Sequence, residues 1–340
     1  MILPAPRLSI CIPTYNRGAF IGVTLASIAT QITPDVEVVV SDNASSDDTP
    51  AVVERFRAVI PRLIYSRTEA NLGFSRNFMR AVDLGSGDYC LLLGSDDVVC
   101  DGMMRRVLRE IESCESAYIF DRLDWDAESD TRHLDPVLDD REERVAFRLG
   151  ERADLLRYMR AGRTIASLFS FISSVVFKRT EWDAVEMATS WYDCAFPQAM
   201  RLFGMFAGAR TLKYVRAPLV LNRLGNDTFN PGGRETIRRL MMDFDGYRRI
   251  VDQYWHADRE VAAEARAVMR RTHPAIDVFK FRRIVKADEV APLCVSLAEF
   301  GYGRLFVWFY RTEWCRVLVL WLKRGHQFLG RPWRASGAIA

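Results

Sequence analysis

The chain has 340 residues, room for one large α/β domain with an accessory part or for two modest domains. Hydrophobic residues make up 49% and charged residues 27%, the balance of a folded globular protein and not of a disordered chain. A formal net charge of +3 gives no argument for nucleic-acid binding, and neither the seven cysteines, which lack any CxxC pair, nor the four scattered histidines have metal-site spacing.

In chain order, Leu8 to Ile12 is a short strand and not the apolar core of a signal peptide. Pro13-Thr14-Tyr15-Asn16-Arg17-Gly18 ends it with turn chemistry, and Phe20, Ile21, Thr24, Leu25 and Ile28 then recur at helical spacing. Val36 to Val40 is a second strand, rich in β-branched residues. The polar run Ser41 to Thr49 leads from it into a helix expected over Pro50 to Val59. Leu63 to Ser66 is a third strand, and Glu69 to Gly73 a loop before a helix over Phe74 to Leu84 that Gly85-Ser86-Gly87 closes. Tyr89-Cys90-Leu91-Leu92-Leu93 then reads as a strand buried on both faces, stopped by Gly94-Ser95-Asp96-Asp97.

This β-α-β-α-β-α-β order predicts a parallel sheet with right-handed crossovers, which gathers the loops after the strands on one edge. Ligands of open α/β sheets bind at that edge. Two adjacent carboxylates there repel unless a cation or proton lies between them, so Asp96 and Asp97 suit a divalent metal carrying a phosphorylated ligand. The plainer alternative is helix capping, by Asp97 ahead of Val98-Val99 or by Asp101 ahead of Gly102-Met103-Met104. A nucleotide at this edge needs an acceptor for a base N–H, a fixed backbone around the base, a cation for its phosphates and a metal. Asp42, the Thr14 to Asn16 turn, Arg76 and the Asp96/Asp97 pair have those four chemistries. Neither GxGxxG nor GxxxxGK[ST] occurs.

The runs Ser9 to Arg17, Val39 to Thr49, Asn71-Leu72-Gly73-Phe74-Ser75-Arg76-Asn77 and Gly87 to Asp97, in this order, resemble family 2 glycosyltransferases. The wording Asn71-Leu72-Gly73-Phe74 and Leu92-Leu93-Gly94-Ser95-Asp96-Asp97 is especially similar to the abequosyltransferase-like branch that builds bacterial O-antigen units. The resemblance is dense over the first ~100 residues. It implies a GT-A fold, Rossmann-like with a mostly parallel sheet, and an inverting transfer from a nucleoside-diphosphate sugar. By motif it places Pro13, Thr14, Tyr15 and Asn16 around the nucleoside, with Arg17, Asn43 and Ser95 in the same motifs. Asp42 accepts from the base, Asn71 and Arg76 lie near the sugar-phosphate, and Asp96 and Asp97 hold Mg²⁺ or Mn²⁺ on the diphosphate. One departure is plain: the family's run is often Asp-x-Asp-Asp, and Gly94 stands in place of its first aspartate.

Further along, a helix is expected over 103–113, a strand over Ala117 to Phe120, a charged excursion without a clear period over 121–145, either near the active site or merely a solvated loop, a helix over Ala153 to Met159 and a late strand over Ser173 to Lys178. An inverting transfer needs one general base. The resemblance implies a carboxylate opening a helix about a hundred residues beyond the metal motif, and Asp193, ahead of a helix over 194–203, stands there. Trp191 and Tyr192 beside it suit a sugar platform for the acceptor; Asp183 is the nearest alternative base, and capping the helix is the plain reading of Asp193. Val215 to Arg223 reads as the last strand; the resemblance implies that Arg223 approaches the diphosphate, and a surface arginine is the alternative reading.

Asn230-Pro231-Gly232-Gly233 marks a boundary, giving a nucleotide-sugar domain over 1–228 and a helical C-terminal region over 229–340. Ile237, Leu240, Met241, Phe244, Tyr247, Val251 and Tyr254 form one helical stripe, and helices are expected near 258–271, 276–286 and 288–300. The segment Leu305 to Leu322 is apolar and aromatic but broken by arginines, too short in its apolar runs to span a bilayer and suited either to lying in an interface or to covering the catalytic domain as a core-facing helix. The expectation is a glycosyltransferase acting on a glycan or polyprenyl-linked acceptor at the cytoplasmic face of the inner membrane, with possible peripheral contact through the C-terminal helix. The rival readings are a metal-dependent nucleotidyltransferase and a non-catalytic nucleotide-sugar or carbohydrate-binding protein.

Overall fold

The computed structural model describes residues 5–140, 142–208, 210–225 and 234–328. It divides into two units, Met1–Gly162 with Ala166–Arg223, and Arg163–Ile165 with Leu224–Ala340. The expected boundary, Asn230 to Gly233, lies outside the described residues.

The first unit opens with β1 (Leu8–Thr14), α1 (Gly18–Ala29), β2 (Val36–Asp42), α2 (Thr49–Glu54), β3 (Leu63–Arg67), α3 (Phe74–Asp83) and β4 (Tyr89–Leu92). The four strands are parallel in the order β3-β2-β1-β4, with β1 in register with β2 from Leu8↔Val36 to Thr14↔Asp42. Every residue of β1, β2 and β4 is buried, which is why these strands are near-continuous apolar runs. On the core side Ile10, Ile12, Val38, Val40 and Leu91 pack with Ile21, Leu25, Ile28 and Val53. The second helix is shorter than the sequence suggests: the chain leaves α2 at Glu54 in a series of turns that bury Ile60 and leave Val59 outside.

The unit continues with β5 (Val98–Val99), α4 (Met103–Glu110, running into a 3-10 turn at Ile111–Ser113), β6 (Ala117–Asp126), β7 (Thr131–Asp135), β8 (Arg144–Arg148), α5 (Arg152–Ala161), β9 (Val175–Lys178), α6 (Arg179–Asp183), α7 (Pro197–Met205) and β10 (Thr211–Arg223). One 10-stranded sheet results, with the path β3-β2-β1-β4-β9-β6-β10-β5, β7 on β6 and β8 on β10. The sheet is mixed. Strand β9 lies antiparallel between β4 and β6, so β6 and the β10 parallel to it run with β4, and their ends reach the same edge. The 121–145 excursion is not a loop but the β6–β7 hairpin followed by β8. Both capping readings fail. Val98–Val99 is a strand paired with β10, so Asp97 precedes no helix, and the cap residue of α4 is Gly102, held at φ +74°, not Asp101.

At the amino edge a buried Glu37 accepts from Ser9 Oγ, from Ser86 N–H and Oγ–H, and from Gly87 N–H, which ties the Gly85-Ser86-Gly87 turn under β4. This places the turn opposite the carboxyl ends of the strands.

The second unit is helical: α8 (Arg234–Tyr254), α9 (Arg259–Thr272), α10 (Ala275–Phe281), α11 (Ala287–Glu299), α12 (Arg304–Arg311) and α13 (Glu313–Phe328). Ile237, Leu240, Phe244, Tyr247 and Val251 of α8 are buried, and the Phe244 ring meets Phe300 and Tyr302. Helix α10 ends earlier than expected, where Arg282 turns inward to donate to Tyr310 O and Glu313. The last apolar segment is two helices. Thr312 is extended and its Oγ1 accepts from Cys315 N–H, starting α13 anew.

Candidate active site

The loops after β1, β2 and β4 lie at the carboxyl edge with the ends of β6 and β10, and the first two loops are sewn together by short polar side chains. Ser45 Oγ accepts from Asn16 N–H at 2.9 Å, and Asn16 Oδ1 accepts from Ser46 N–H at 2.8 Å. Thr49 Oγ1 accepts from Arg17 N–H at 3.0 Å, and Asp47 Oδ2 from Gly18 N–H at 2.9 Å. Asn16 sits at φ +53°, a conformation that asparagine tolerates better than most residues. Burial pushes the Asp47 carboxyl up, but the bonds from Thr49 and Gly18 outweigh it and hold the group below its usual range. Pro13 and Thr14 are buried, Thr14 Oγ1 has no hydrogen-bond partner, and Tyr15 stands 45% exposed at the rim.

Asp42 is fully buried. Its Oδ2 accepts from Tyr65 OH at 2.7 Å with Arg67 Nε at 3.9 Å, and its Oδ1 from Ser45 N–H at 2.8 Å. Asn43 and Asn71 are brought together: Asn43 Nδ2 donates to Asn71 Oδ1 at 2.8 Å, and Asn43 Oδ1 accepts from Leu72 N–H at 2.8 Å. They shape the turn at Gly73, whose φ of +83° only glycine adopts freely. Asn77, a residue that the sequence reading had not singled out, donates from Nδ2 to Ser41 O and Thr14 O and accepts from Ser41 Oγ, pinning α3 under both strand ends.

At the end of β4 the open side of Gly94 is a cradle. A Cβ there would lie 2.7 Å from Asp97 Oδ2 and 3.1 Å from Asp96 Oδ1, so both carboxylates turn into the space that a side chain at 94 would take. Asp97 is buried, and Asp96 is half-buried. Ser173, just ahead of β9, accepts from Gly94 N–H at 2.9 Å and donates to Asp97 Oδ2. Burial and the Asp96 charge push the Asp97 carboxyl up to about 7, against the pull of Ser173, Arg122 and the Arg223 backbone N–H. Ser173→Ala removes the hydroxyl that donates to the buried Asp97 Oδ2, at the cost of that hydrogen bond. It is expected to lower kcat/KM for transfer about tenfold, read in a steady-state assay with donor varied.

Arg223 lies in the same crevice, its guanidinium carbon 4.5 Å from the Trp125 ring centroid and 5.8 Å from that of Phe20, with its buried Nε unpartnered. Arg76 instead stacks on Tyr192, 4.8 Å from the ring centroid, and Ser75 Oγ donates to Cys194 O. These contacts fix the Thr189–Asp193 3-10 turn beside the start of α3, at the carboxyl edge, with the Asp193 side chain exposed. The sequence-expected helix over 194–203 is displaced: α7 begins at Pro197 with Phe196 as its cap residue, so Asp193 does not cap it. Trp191, expected as half of a sugar platform, is buried, and Tyr192 alone is left half-exposed. Asp183 sits at the other edge, since β9 runs towards Tyr89 at the start of β4 and α6 follows it. Tyr65 and Ser173 are not legible as site residues in the sequence, because each reaches Asp42 or Asp97 only through the pairing of distant segments.

A family model described as Glycosyl transferase family 2 matches residues 9–172. Abequosyltransferase RfbV of Salmonella typhimurium is 30% identical over 274 residues, 78% of this chain and 81% of that protein. The chain belongs to glycosyltransferase family 2. The glycosyltransferase also resembles, over 31% of its length and 34% of the other's, the GalNAc(5)-diNAcBac-PP-undecaprenol beta-1,3-glucosyltransferase of Campylobacter jejuni, at 31% identity. Among solved structures it is similar to S. aureus TarS 1–349 in complex with UDP-GlcNAc, with a TM-score of 0.61, 16% identity, and 96% and 93% of the two chains covered. A mannosyltransferase from Pyrobaculum calidifontis in complex with GDP-Man and Mn²⁺ gives 0.53 at 16% identity over 97% and 89%. The glycosyltransferase thus has the GT-A fold, a mixed and mostly parallel sheet followed by a helical C-terminal region.

Proposed function

We propose that this enzyme transfers a sugar, with inversion at the anomeric carbon, from a nucleoside-diphosphate sugar to a hydroxyl of a glycan or polyprenyl-linked acceptor in bacterial surface polysaccharide synthesis of the O-antigen type. The observation that carries the reading is the convergence of Asp96 and Asp97 on the open side of Gly94, in the crevice walled by the Thr14 to Asn16 turn. The abequosyltransferase similarity supports the polysaccharide context. The nucleotide-sugar domain is the first unit.

In this reading the nucleoside lies against Pro13, Thr14, Tyr15, Asn16 and Arg17. Behind that turn the buried Asp42 accepts from Ser45 N–H and Tyr65 OH, so a bond to the base needs a small opening of this loop, which Asn43 and Asn71 hold. Among the described residues no group of three or more metal-ligating side chains occurs. Two carboxylates facing one cradle still fit Mg²⁺ or Mn²⁺, which take one or two protein carboxylates and complete their shell with phosphate oxygens and water. Such an ion, held by Asp96 and Asp97, would supply charge neutralisation to the diphosphate. Arg223, fixed between two rings with an unpaired N–H, adds a second positive charge there, and Ser95 lies in the same turn.

Asp193 is the base. It takes the proton of the acceptor hydroxyl as that oxygen attacks the anomeric carbon from the face opposite the diphosphate. The carbon–oxygen bond to the diphosphate breaks and its electron pair leaves with the diphosphate. Tyr192, braced by Arg76, presents its ring to the acceptor sugar. The place of action is the cytoplasmic face of the inner membrane, where polyprenyl-linked acceptors are held. The test is the anomeric configuration of the product by NMR, with a nucleotide-sugar panel and a polyprenyl-diphosphate saccharide as acceptor. Inversion relative to the donor is expected, and a retained configuration overturns the mechanism.

A further inference from the structure

We infer that α12 and α13 together form a docking face for an anionic lipid bilayer. The inference deepens the membrane-face reading above and rests on it for its biological purpose, but it is argued from these two helices alone. On α13, Trp314, Val317, Leu318 and Trp321 recur at i, i+3, i+4 and i+7, which is one face of a helix. Trp314 is 76% exposed and Trp321 69%. A different stripe of the same helix, Cys315 and Val319, is fully buried. Helix α12 repeats the division: Tyr310 is buried, while Leu305 is 83% and Trp308 68% exposed. Both helices thus bury one apolar face and present a second to the outside. Single exposed apolar residues are ordinary; Trp314, Val317, Leu318 and Trp321 exposed together on one face of α13 make a contact surface.

The charges choose the occupant. Between Arg304 and Lys323 the sequence has four bases, Arg304, Arg311, Arg316 and Lys323, and one acid, Glu313. That acid is already engaged, by Arg282 at 3.0 Å and by Arg316 at 3.7 Å. All three arginines are exposed; Arg304 and Arg311 stand at i−4 and i+3 from Trp308 on one face of α12, while Arg316 pairs with Glu313 away from the Trp314/Trp321 face of α13. A second copy of this chain would bring a like-charged face against it, whereas an anionic bilayer accepts the rings at the headgroup boundary and pairs the guanidinium groups with lipid phosphates. Among the described residues no helix is long and apolar enough to cross a membrane, so the face lies in the membrane plane.

Co-sedimentation of the full chain with vesicles tests this. Vesicles of mixed phosphatidylglycerol and phosphatidylcholine are expected to bind it at low salt, and phosphatidylcholine alone to bind it weakly. Trp308→Ser/Trp314→Ser/Trp321→Ser is expected to lower partitioning on the order of tenfold. Arg304→Gln/Arg311→Gln/Arg316→Gln is expected to lower it and to flatten its salt dependence. Helical content by circular dichroism and nucleoside-diphosphate binding, measured in parallel, stay unchanged in both variants, which shows both units folded. A full chain that stays in the supernatant with anionic vesicles overturns the inference even where donor binding and anomeric inversion hold. Vesicle binding that survives the triple tryptophan change overturns the assignment to this face. A dimer that the same change dissociates makes the occupant a second copy and overturns it too.

Discussion

Asp193→Asn is expected to bind the nucleotide sugar as the unaltered enzyme does and to transfer it about 10³-fold more slowly, since a positioned general base contributes roughly 10²–10⁴. The side chain is exposed and caps no helix, so the change leaves the melting temperature in place. Arg76 stacks on Tyr192, and Ser75 holds Cys194 O, so the carboxylate is carried on a segment docked at the start of α3. The competing carboxylate, Asp183, follows β9 to the opposite edge of the sheet, and Asp183→Asn is expected to leave kcat unaltered. The split between donor affinity and kcat, from calorimetry and steady-state rates, is the readout. An Asp193→Asn enzyme with full kcat removes the residue from the mechanism.

Asp97→Asn is expected to separate activity from stability in the other direction. The amide keeps the shape and can accept from Ser173 Oγ while losing the charge with which Asp97 would hold a divalent ion on the donor's diphosphate. A loss in kcat/KM of about 10²–10³ is expected, the range for removing one electrostatic contact to a developing charge. The fold should not suffer. In the free protein the Asp97 carboxyl is buried beside Asp96, and both effects raise it to about 7, so ionising it at pH 8 opposes folding. The neutral amide removes that opposition, and the melting temperature at pH 8 is expected to hold or rise. Lost stability together with retained transfer would make Asp97 a structural residue.

The first hundred residues were legible because two signals agreed. Strands buried on both faces are written as unbroken apolar runs, and the polar turns after them are where the topology must gather ligands. The hairpin over 121–135 was not legible. The outer strand β7 is almost wholly exposed, and its charged residues have no buried face to impose a period of two. Nor could the sequence show that β9 runs against β4, because a four-residue apolar run carries no direction. That one reversal decides both Ser173, which it delivers to Asp97 from 76 residues away, and Asp183, which it carries off to the other edge. Gly94 also changed its meaning. In sequence it was a missing carboxylate, whereas in the structure it is the space into which the two remaining carboxylates turn. An aspartate at 94 would need Asp97 to move.

The most direct test of the nucleotide-sugar site is thermal unfolding of the full chain with UDP-, GDP-, CDP- and dTDP-sugars, each with and without Mn²⁺. At a hundredfold excess over Kd a bound donor adds roughly 2.7 kcal/mol of stability. The expected result is a raised melting temperature with one nucleotide class, larger with Mn²⁺ and lost in Asp97→Asn. No shift with any of the four, or a shift that Asp97→Asn keeps in full, contradicts the placement of the donor at the end of β4.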